Sequence, residues 1–157
     1  MDFLIKLGFY ILYGMILFLS VTSVIRGRNG FKKIKTLDSH FRMKYLIHSI
    51  LLLFTGIIVL LLAILFLPLF FLLPSFLKDL TLVGTLFGIF YFVLASSTPI
   101  ILMVCFPCLA VTGFTLNKMN KKQLQEKKNI VFSIANFCSV FLTCVLLVFI
   151  LFATLKL

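Results

Sequence analysis

Four long stretches of the chain contain no charged residue and alternate with short polar segments. They are residues 7–25, 49–73, 80–116 and 130–155. A bilayer core about 30 Å thick is crossed by roughly 20 apolar residues of helix. Because each stretch reaches that length, the pattern predicts an all-α integral membrane protein with four transmembrane helices. We place the spans near residues 3–25, 45–73, 80–104 (with an irregular extension to 116) and 129–155.

The third stretch is irregular, because as one helix rising about 1.5 Å per residue it would extend roughly 55 Å. Pro99 and Pro107 interrupt it, and the residues from Ala95 to Thr98 are small or polar. Proline breaks the hydrogen-bond ladder of a helix, so we expect one long helix kinked at Pro99 and Pro107. The alternative is two spans joined by a tight turn at Ser97, which would make five spans.

Basic residues are concentrated in two of the connecting segments. Of 15 Lys and Arg residues, seven lie in residues 26–48 and five in residues 117–128. Cytoplasmic loops of membrane proteins carry an excess of Lys and Arg. We therefore predict that both basic loops are cytoplasmic and that both termini lie outside (N-out, C-out). Five spans would place residues 117–128 outside, against this rule.

The first apolar stretch also has the length of a secretory signal, with Val21-Thr22-Ser23 as a tolerable cleavage site. A signal peptide begins with a positively charged region, whereas this one carries one Asp and one Lys. Basic residues begin at Arg26, directly after the apolar run. This order is typical of a retained spanning helix whose N-terminus is outside.

Composition indicates the same class of protein. Hydrophobic residues make up 62% of the chain, charged residues only 12%, and the mean hydropathy is +1.24; a typical soluble domain is about 45–50% apolar. Since the longest segment between the apolar stretches is 26–48, residues 1–157 are expected to form a single polytopic membrane domain. The small size and short loops of the chain suggest a bacterial cytoplasmic membrane, although an organellar or endoplasmic-reticulum membrane would also fit these features.

Apolar residues in the first basic loop recur every three or four positions, with basic residues mostly between them. This pattern predicts a short amphipathic helix on the cytoplasmic surface, entered by a turn at residues 26–30. The alternative is a plain connector that touches lipid by chance. Basic side chains here and in the other loop are expected to contact lipid headgroups: Arg26, Arg28, Lys32, Lys33, Lys35, Arg42, Lys44, Lys118, Lys121 and Lys122.

The expected counterpart of this charge is the lipid bilayer. Nucleic-acid-binding proteins combine a basic surface with a recognisable motif, and the sequence contains none. Nucleic acid is therefore not an expected partner.

Two constellations within the spans point to helix packing. Gly84 and Gly88 form a G-x-x-x-G motif, which allows two helix backbones to approach closely, and Ser96 extends the set. The partner helix can belong to this chain, to a second copy or to another protein.

Helix 4 carries a polar line at three- and four-residue spacing: Ser133, Asn136, Ser139 and Thr143. An amide in the bilayer is costly unless it is hydrogen-bonded, so Asn136 should face protein. Internal helix packing is the plainer interpretation, and a ligand or ion site is the alternative.

All four cysteines lie inside predicted spans, and Cys105-Phe-Pro-Cys108 has the C-x-x-C spacing of redox enzymes. Membrane disulfide oxidoreductases of four helices share that spacing. Their chemistry, however, requires exported thiols and a second relaying pair, whereas Cys138 and Cys144 lie within helix 4. We therefore interpret all four as free structural thiols.

The sequence argues against catalysis. It has four acidic residues, none within a span, and no G-x-S-x-G, H-E-x-x-H or P-loop. We predict no enzyme activity, cofactor or metal. The expected function is binding of a partner within the bilayer through helices 3 and 4, as an accessory or assembly subunit or as an immunity-type protein. An oligomeric channel or transporter component is the alternative, and membrane thiol redox chemistry the weaker one.

Overall fold

A computed structural model of the chain describes the backbone of residues 2–37, 39–76, 82–123 and 129–155. Within these ranges it describes all side chains except those of residues 2–6, 9, 66–76, 82–92, 94, 95, 123, 149, 153 and 154.

Four long helices account for almost all of the described chain. A short 3-10 turn, Ile34–Thr36, lies between the first and the second helix. The helices are α1 (Asp2–Lys33), α2 (Ser39–Phe76), α3 (Leu82–Gln123) and α4 (Ile130–Leu155). Each contains a stretch long and apolar enough to cross a membrane, which confirms the predicted all-helical class with four helices able to span it. The bounds of the spans stay a prediction.

The first basic loop differs from the prediction. Helix α1 continues to Lys33, through the Arg-Gly-Arg-Asn-Gly sequence at residues 26–30 where a turn was expected, and α2 begins at Ser39. The predicted separate amphipathic helix is therefore wrong. Its residues are divided between the end of α1, the 3-10 turn and the start of α2. The backbone hydrogen bonds of α1 continue past the apolar stretch, because the long basic side chains there can extend to the polar surface.

The third apolar stretch is one helix over the described residues, so the alternative of two spans with a turn at Ser97 is wrong. Helix α3 contains both Pro99 and Pro107. The hydroxyls of Ser96 and Ser97 donate to the carbonyl of Val93, at 3.0 and 2.9 Å, and so satisfy their polar groups within the helix. The helix also extends through the polar residues as far as Gln123. The kink at the two prolines stays a prediction.

Helices that follow each other in the chain are neighbours in space, and α1 and α4 share a smaller contact that brings the bundle together. The ends of α1 and α3 and the starts of α2 and α4 therefore lie together. We call this the basic end of the bundle, since most described Lys and Arg residues lie there.

Helices α1 and α2 approach each other closely. On α1, Ser20, Ser23, Gly27 and Gly30 are buried at three- and four-residue spacing; we call these four the small-residue seam. A Cβ atom added to Gly27 would lie 2.7 Å from Leu53 Cβ and 2.8 Å from its backbone Cα and N. Small residues thus bring the two backbones together, as in other membrane helix pairs.

Candidate functional site: a buried arginine at the basic end

The most unusual group in the described structure is the guanidinium of Arg26. It lies seven residues before the end of α1, about 10 Å inside that end at the rise of an α-helix. Its residue is only 7% exposed. An ionisable side chain buried within a spanning helix is costly and requires polar partners.

Three oxygen atoms from two other helices accept hydrogen bonds from this guanidinium. Nη1 donates to Asn136 Oδ1 at 2.7 Å, and Nη2 donates to the Gly113 carbonyl at 2.9 Å and to Asn117 Oδ1 at 2.8 Å. The guanidinium carbon also lies 4.8 Å from the ring centroid of Phe132, a cation–π geometry. We call these five residues the arginine centre.

The arginine centre joins three helices at one point: Arg26 comes from α1, Gly113 and Asn117 from α3, and Phe132 and Asn136 from α4. The planar guanidinium donates hydrogen bonds in several fixed directions and accepts no hydrogen bond. The acceptor Oδ1 of Asn136 must therefore face Arg26, and its Nδ2 has no hydrogen-bond partner among the described residues.

Gly113 is required at the arginine centre for space. A Cβ atom added there would overlap Asn136 Oδ1 and would lie 3.2 Å from Arg26 Nη1. Only glycine therefore allows the Arg26–Asn136 hydrogen bond to form directly over the α3 backbone.

A second hydrogen bond between helices lies beside the arginine centre and joins α2 to α3. Tyr45 of α2, almost fully buried, donates its hydroxyl to Asn120 Oδ1 of α3 at 2.8 Å. Between this pair and Arg26 lies a cavity of about 40 Å³, also lined by Asn29 and Lys33. Polar and apolar groups line this cavity equally, and it has room for a water molecule.

The charge of Arg26 is compensated by dipoles. Among the described residues its hydrogen-bond partners are two side-chain amides and one backbone carbonyl, with no carboxylate. Neutral acceptors can stabilise a guanidinium, but they offer no base, nucleophile or proton acceptor for catalysis. This arrangement is suited to holding helices together.

The structure corrects the expected role of Arg26. We predicted that it contacts lipid headgroups, but its guanidinium is enclosed by α3 and α4 because α1 extends two turns beyond it. Lys33 is half-buried. The other described basic side chains in that set are exposed, as headgroup contact requires: Arg28, Lys32, Lys35, Arg42, Lys44, Lys118, Lys121 and Lys122.

The polar line of α4 points into the bundle. Asn136 and Ser139 are buried, and Asn136 contacts Arg26, so the expectation that this amide faces protein is confirmed. The hydroxyls of Ser139 and Thr143 donate to carbonyls of α4 itself, those of Asn136 and Ser139, both at 2.7 Å. Ser133 and Thr143 are half-buried. Internal packing therefore accounts for Asn136 and Ser139, and these two residues present no surface to a second molecule.

The G-x-x-x-G motif lies in α3, and Gly84 and Gly88 fall outside the residues whose side chains and surroundings the structure describes. Their role as a packing face stays a prediction. Ser96 is exposed.

The four cysteines are free, with Cys105 and Cys138 buried, Cys108 half-buried and Cys144 exposed. We expect the purified protein to have the same intact mass before and after treatment with a reductant, because no pair is joined. A mass increase on reduction, with Cys105 and Cys108 recovered as the reduced pair by peptide mapping, would favour redox chemistry at the C-x-x-C instead.

Several residues of the site escaped the sequence analysis. Gly113, Asn117 and Phe132 belong to the arginine centre, and Tyr45 and Asn120 to the second link. The spacing of the small-residue seam could have been found, since it repeats every three and four residues between Ser20 and Gly30. That repeat indicates a buried face, and Arg26 lies beside it.

Comparison with known proteins gave no match: no protein-family model, curated protein or solved structure is similar to this chain at a significant level. The four apolar helices define the class, a multi-pass membrane protein.

Proposed function

We propose that this chain is a non-enzymatic membrane protein that binds a partner protein within the bilayer. It would act as an accessory or assembly subunit, or as an immunity-type protein against a membrane-active toxin. The observation that carries the proposal is that the buried charge of α1, Arg26, is bound inside the bundle by the side-chain amides Asn117 of α3 and Asn136 of α4. What remains for function is the outer surface.

The proposed contact surface is the outer face of α3. Ser96 is exposed and so is Ile100, one turn farther on, at 68%. A small residue on an exposed helix face permits a second helix to approach closely. Gly84 and Gly88, in the same helix, would provide the same freedom nearer its start.

We further propose that the basic end faces the cytoplasm and that both termini lie outside, in the cytoplasmic membrane of a bacterium. The exposed Lys and Arg side chains of the basic end support this orientation, because such residues accumulate on the cytoplasmic side and contact anionic headgroups there.

The variant Gly88→Leu tests the proposed contact. A leucine side chain would separate two closely packed helices, so we expect the partner to be lost from a tagged pull-down in mild detergent while membrane insertion is unchanged. Gly14→Leu is the matched control, because Gly14 is an exposed intramembrane glycine with no atom within 4 Å of an added Cβ. Equal recovery of the partner with both variants would remove α3 from the contact.

A further inference from the structure

A second cavity lies on the outside of the basic end, between the start of α2 and the end of α3. It is a half-open groove of about 440 Å³. We call it the α2–α3 groove, and it is lined by Phe41, Lys44, Phe114, Thr115, Lys118, Met119 and Lys122.

The lining of the α2–α3 groove combines two chemical characters. Three lysines, Lys44, Lys118 and Lys122, supply ammonium groups, and no lining residue is acidic. The aromatic rings of Phe41 and Phe114 and the side chain of Met119 supply an apolar floor. A cluster of positive charge over an apolar floor is complementary to a molecule that is anionic at one end and apolar at the other.

The apolar surface continues along α3 away from the basic end. Val111 lies about one turn from Phe114 and Thr115, and Val104 lies two turns farther; both are about two-thirds exposed. A ligand whose head lies among the three lysines would therefore have its apolar part against exposed aliphatic side chains.

We propose that the α2–α3 groove is a binding site for one anionic phospholipid. The phosphate of its headgroup lies among the ammonium groups of Lys44, Lys118 and Lys122, and its acyl chains lie along Val111 and Val104. Basic pockets between spanning helices are the sites at which acidic headgroups are held by charge. Charge selects this occupant: a zwitterionic lipid gains little from three ammonium groups, and a soluble anion gains nothing from the apolar floor.

This site is independent of the proposed partner contact. The α2–α3 groove and its apolar extension involve Val104 and residues nearer the end of α3, whereas the proposed contact is formed by Ser96, Ile100 and residues nearer the start of α3. Either proposal can therefore fail without the other.

The test uses the full chain, purified and delipidated in a neutral detergent, and titrated in native mass spectrometry with phosphatidylglycerol or with phosphatidylcholine of the same acyl chains. We expect one phosphatidylglycerol to bind at least about tenfold more tightly than phosphatidylcholine. The variant Lys44→Gln/Lys118→Gln/Lys122→Gln is expected to lose this preference.

The matched control removes the same amount of charge from the same end of the bundle. Lys32→Gln/Lys35→Gln/Lys121→Gln changes three exposed lysines that do not line the α2–α3 groove. This control should keep the preference for phosphatidylglycerol. Circular dichroism and size-exclusion profiles equal to those of the wild type would establish that both triple variants are folded.

Four results would overturn the proposal. Equal loss of preference in both triple variants would indicate diffuse charge attraction, and no preference in the wild type would remove the site. Displacement of the lipid by glycerol phosphate at equal concentration would identify a soluble anion as the ligand. Loss of a co-purified protein from the groove variant, with lipid binding unchanged, would identify an acidic protein segment as the occupant.

Discussion

Replacing Asn136 with Leu is expected to destabilise the bundle by about 2–3 kcal/mol, because Arg26 then remains buried with one fewer acceptor. Leucine has the same number and branching of side-chain heavy atoms as asparagine, so the change removes the hydrogen bond while keeping the branched shape. The measurement is SDS-induced unfolding in mild detergent, followed by the loss of helical circular dichroism.

A double-mutant cycle separates the Arg26–Asn136 interaction from packing. Arg26→Met removes the charge and leaves the acceptors of Asn136 and Asn117 without their donor. The double variant Arg26→Met/Asn136→Leu should be about 1–2 kcal/mol more stable than the sum of the single effects predicts. Additive effects would show that the hydrogen bond contributes nothing specific.

Thr143→Val is the control within the same polar line. Its hydroxyl is half-buried and donates only to the Ser139 carbonyl of its own helix. We expect a change smaller than about 1 kcal/mol. A loss equal to that of Asn136→Leu would mean that any polar residue of α4 matters equally, and the arginine centre would have no special role.

The second large effect is expected at Gly27. A methyl group there meets the backbone of α2, with Leu53 Cα and N both 2.8 Å away, so the two helices must move apart. We expect Gly27→Ala to destabilise the bundle by about 2 kcal/mol or more, as overpacking of a close interface does. Separation of α1 from α2 would also weaken the hydrogen bonds of Arg26, because that residue precedes Gly27.

Gly14→Ala is the control for the same substitution in the same helix. Because nothing lies within 4 Å of its added Cβ, only the helix propensity changes. Alanine in a helix is favoured over glycine by about 1 kcal/mol, so this variant should be equally or slightly more stable than the wild type. The same unfolding assay in detergent compares the two. A Gly27→Ala protein as stable as Gly14→Ala would contradict the close approach of α1 and α2.

The sequence predicted the number of spanning helices, because a long, continuously apolar stretch satisfies its backbone groups within the bilayer by forming a helix. It predicted the bounds of α4 to within one residue but ended α1 and α3 too early. Residues 26–33 and 117–123 are mostly charged or polar, and the predicted spans end before them, although the sequence also allows an extension of helix 3 or 4 into residues 117–128. Both segments continue their helices, α1 and α3. A helix leaving the bilayer has no reason to end at the first basic residue, since its backbone bonds continue in water.

The arginine centre could not be predicted in the same way. The residues that bind Arg26 follow it in the chain by 87, 91 and 110 positions, and no local sequence pattern indicates contacts at such separations. The positive-inside rule places Arg26 near the basic end but treats every basic residue there alike. Asn136 was identified, because an amide within a span requires a partner; which partner it has depends on how four helices pack.

The composition of the native complex tests the central claim, binding of a partner within the bilayer, most directly. The tagged full chain would be extracted from its own membranes in mild detergent and analysed by native mass spectrometry. The account predicts a complex that contains a second, different membrane protein in stoichiometric amount. A chain that appears alone, or only with copies of itself, would contradict it, and copies of itself would instead support a channel or transporter built from several chains.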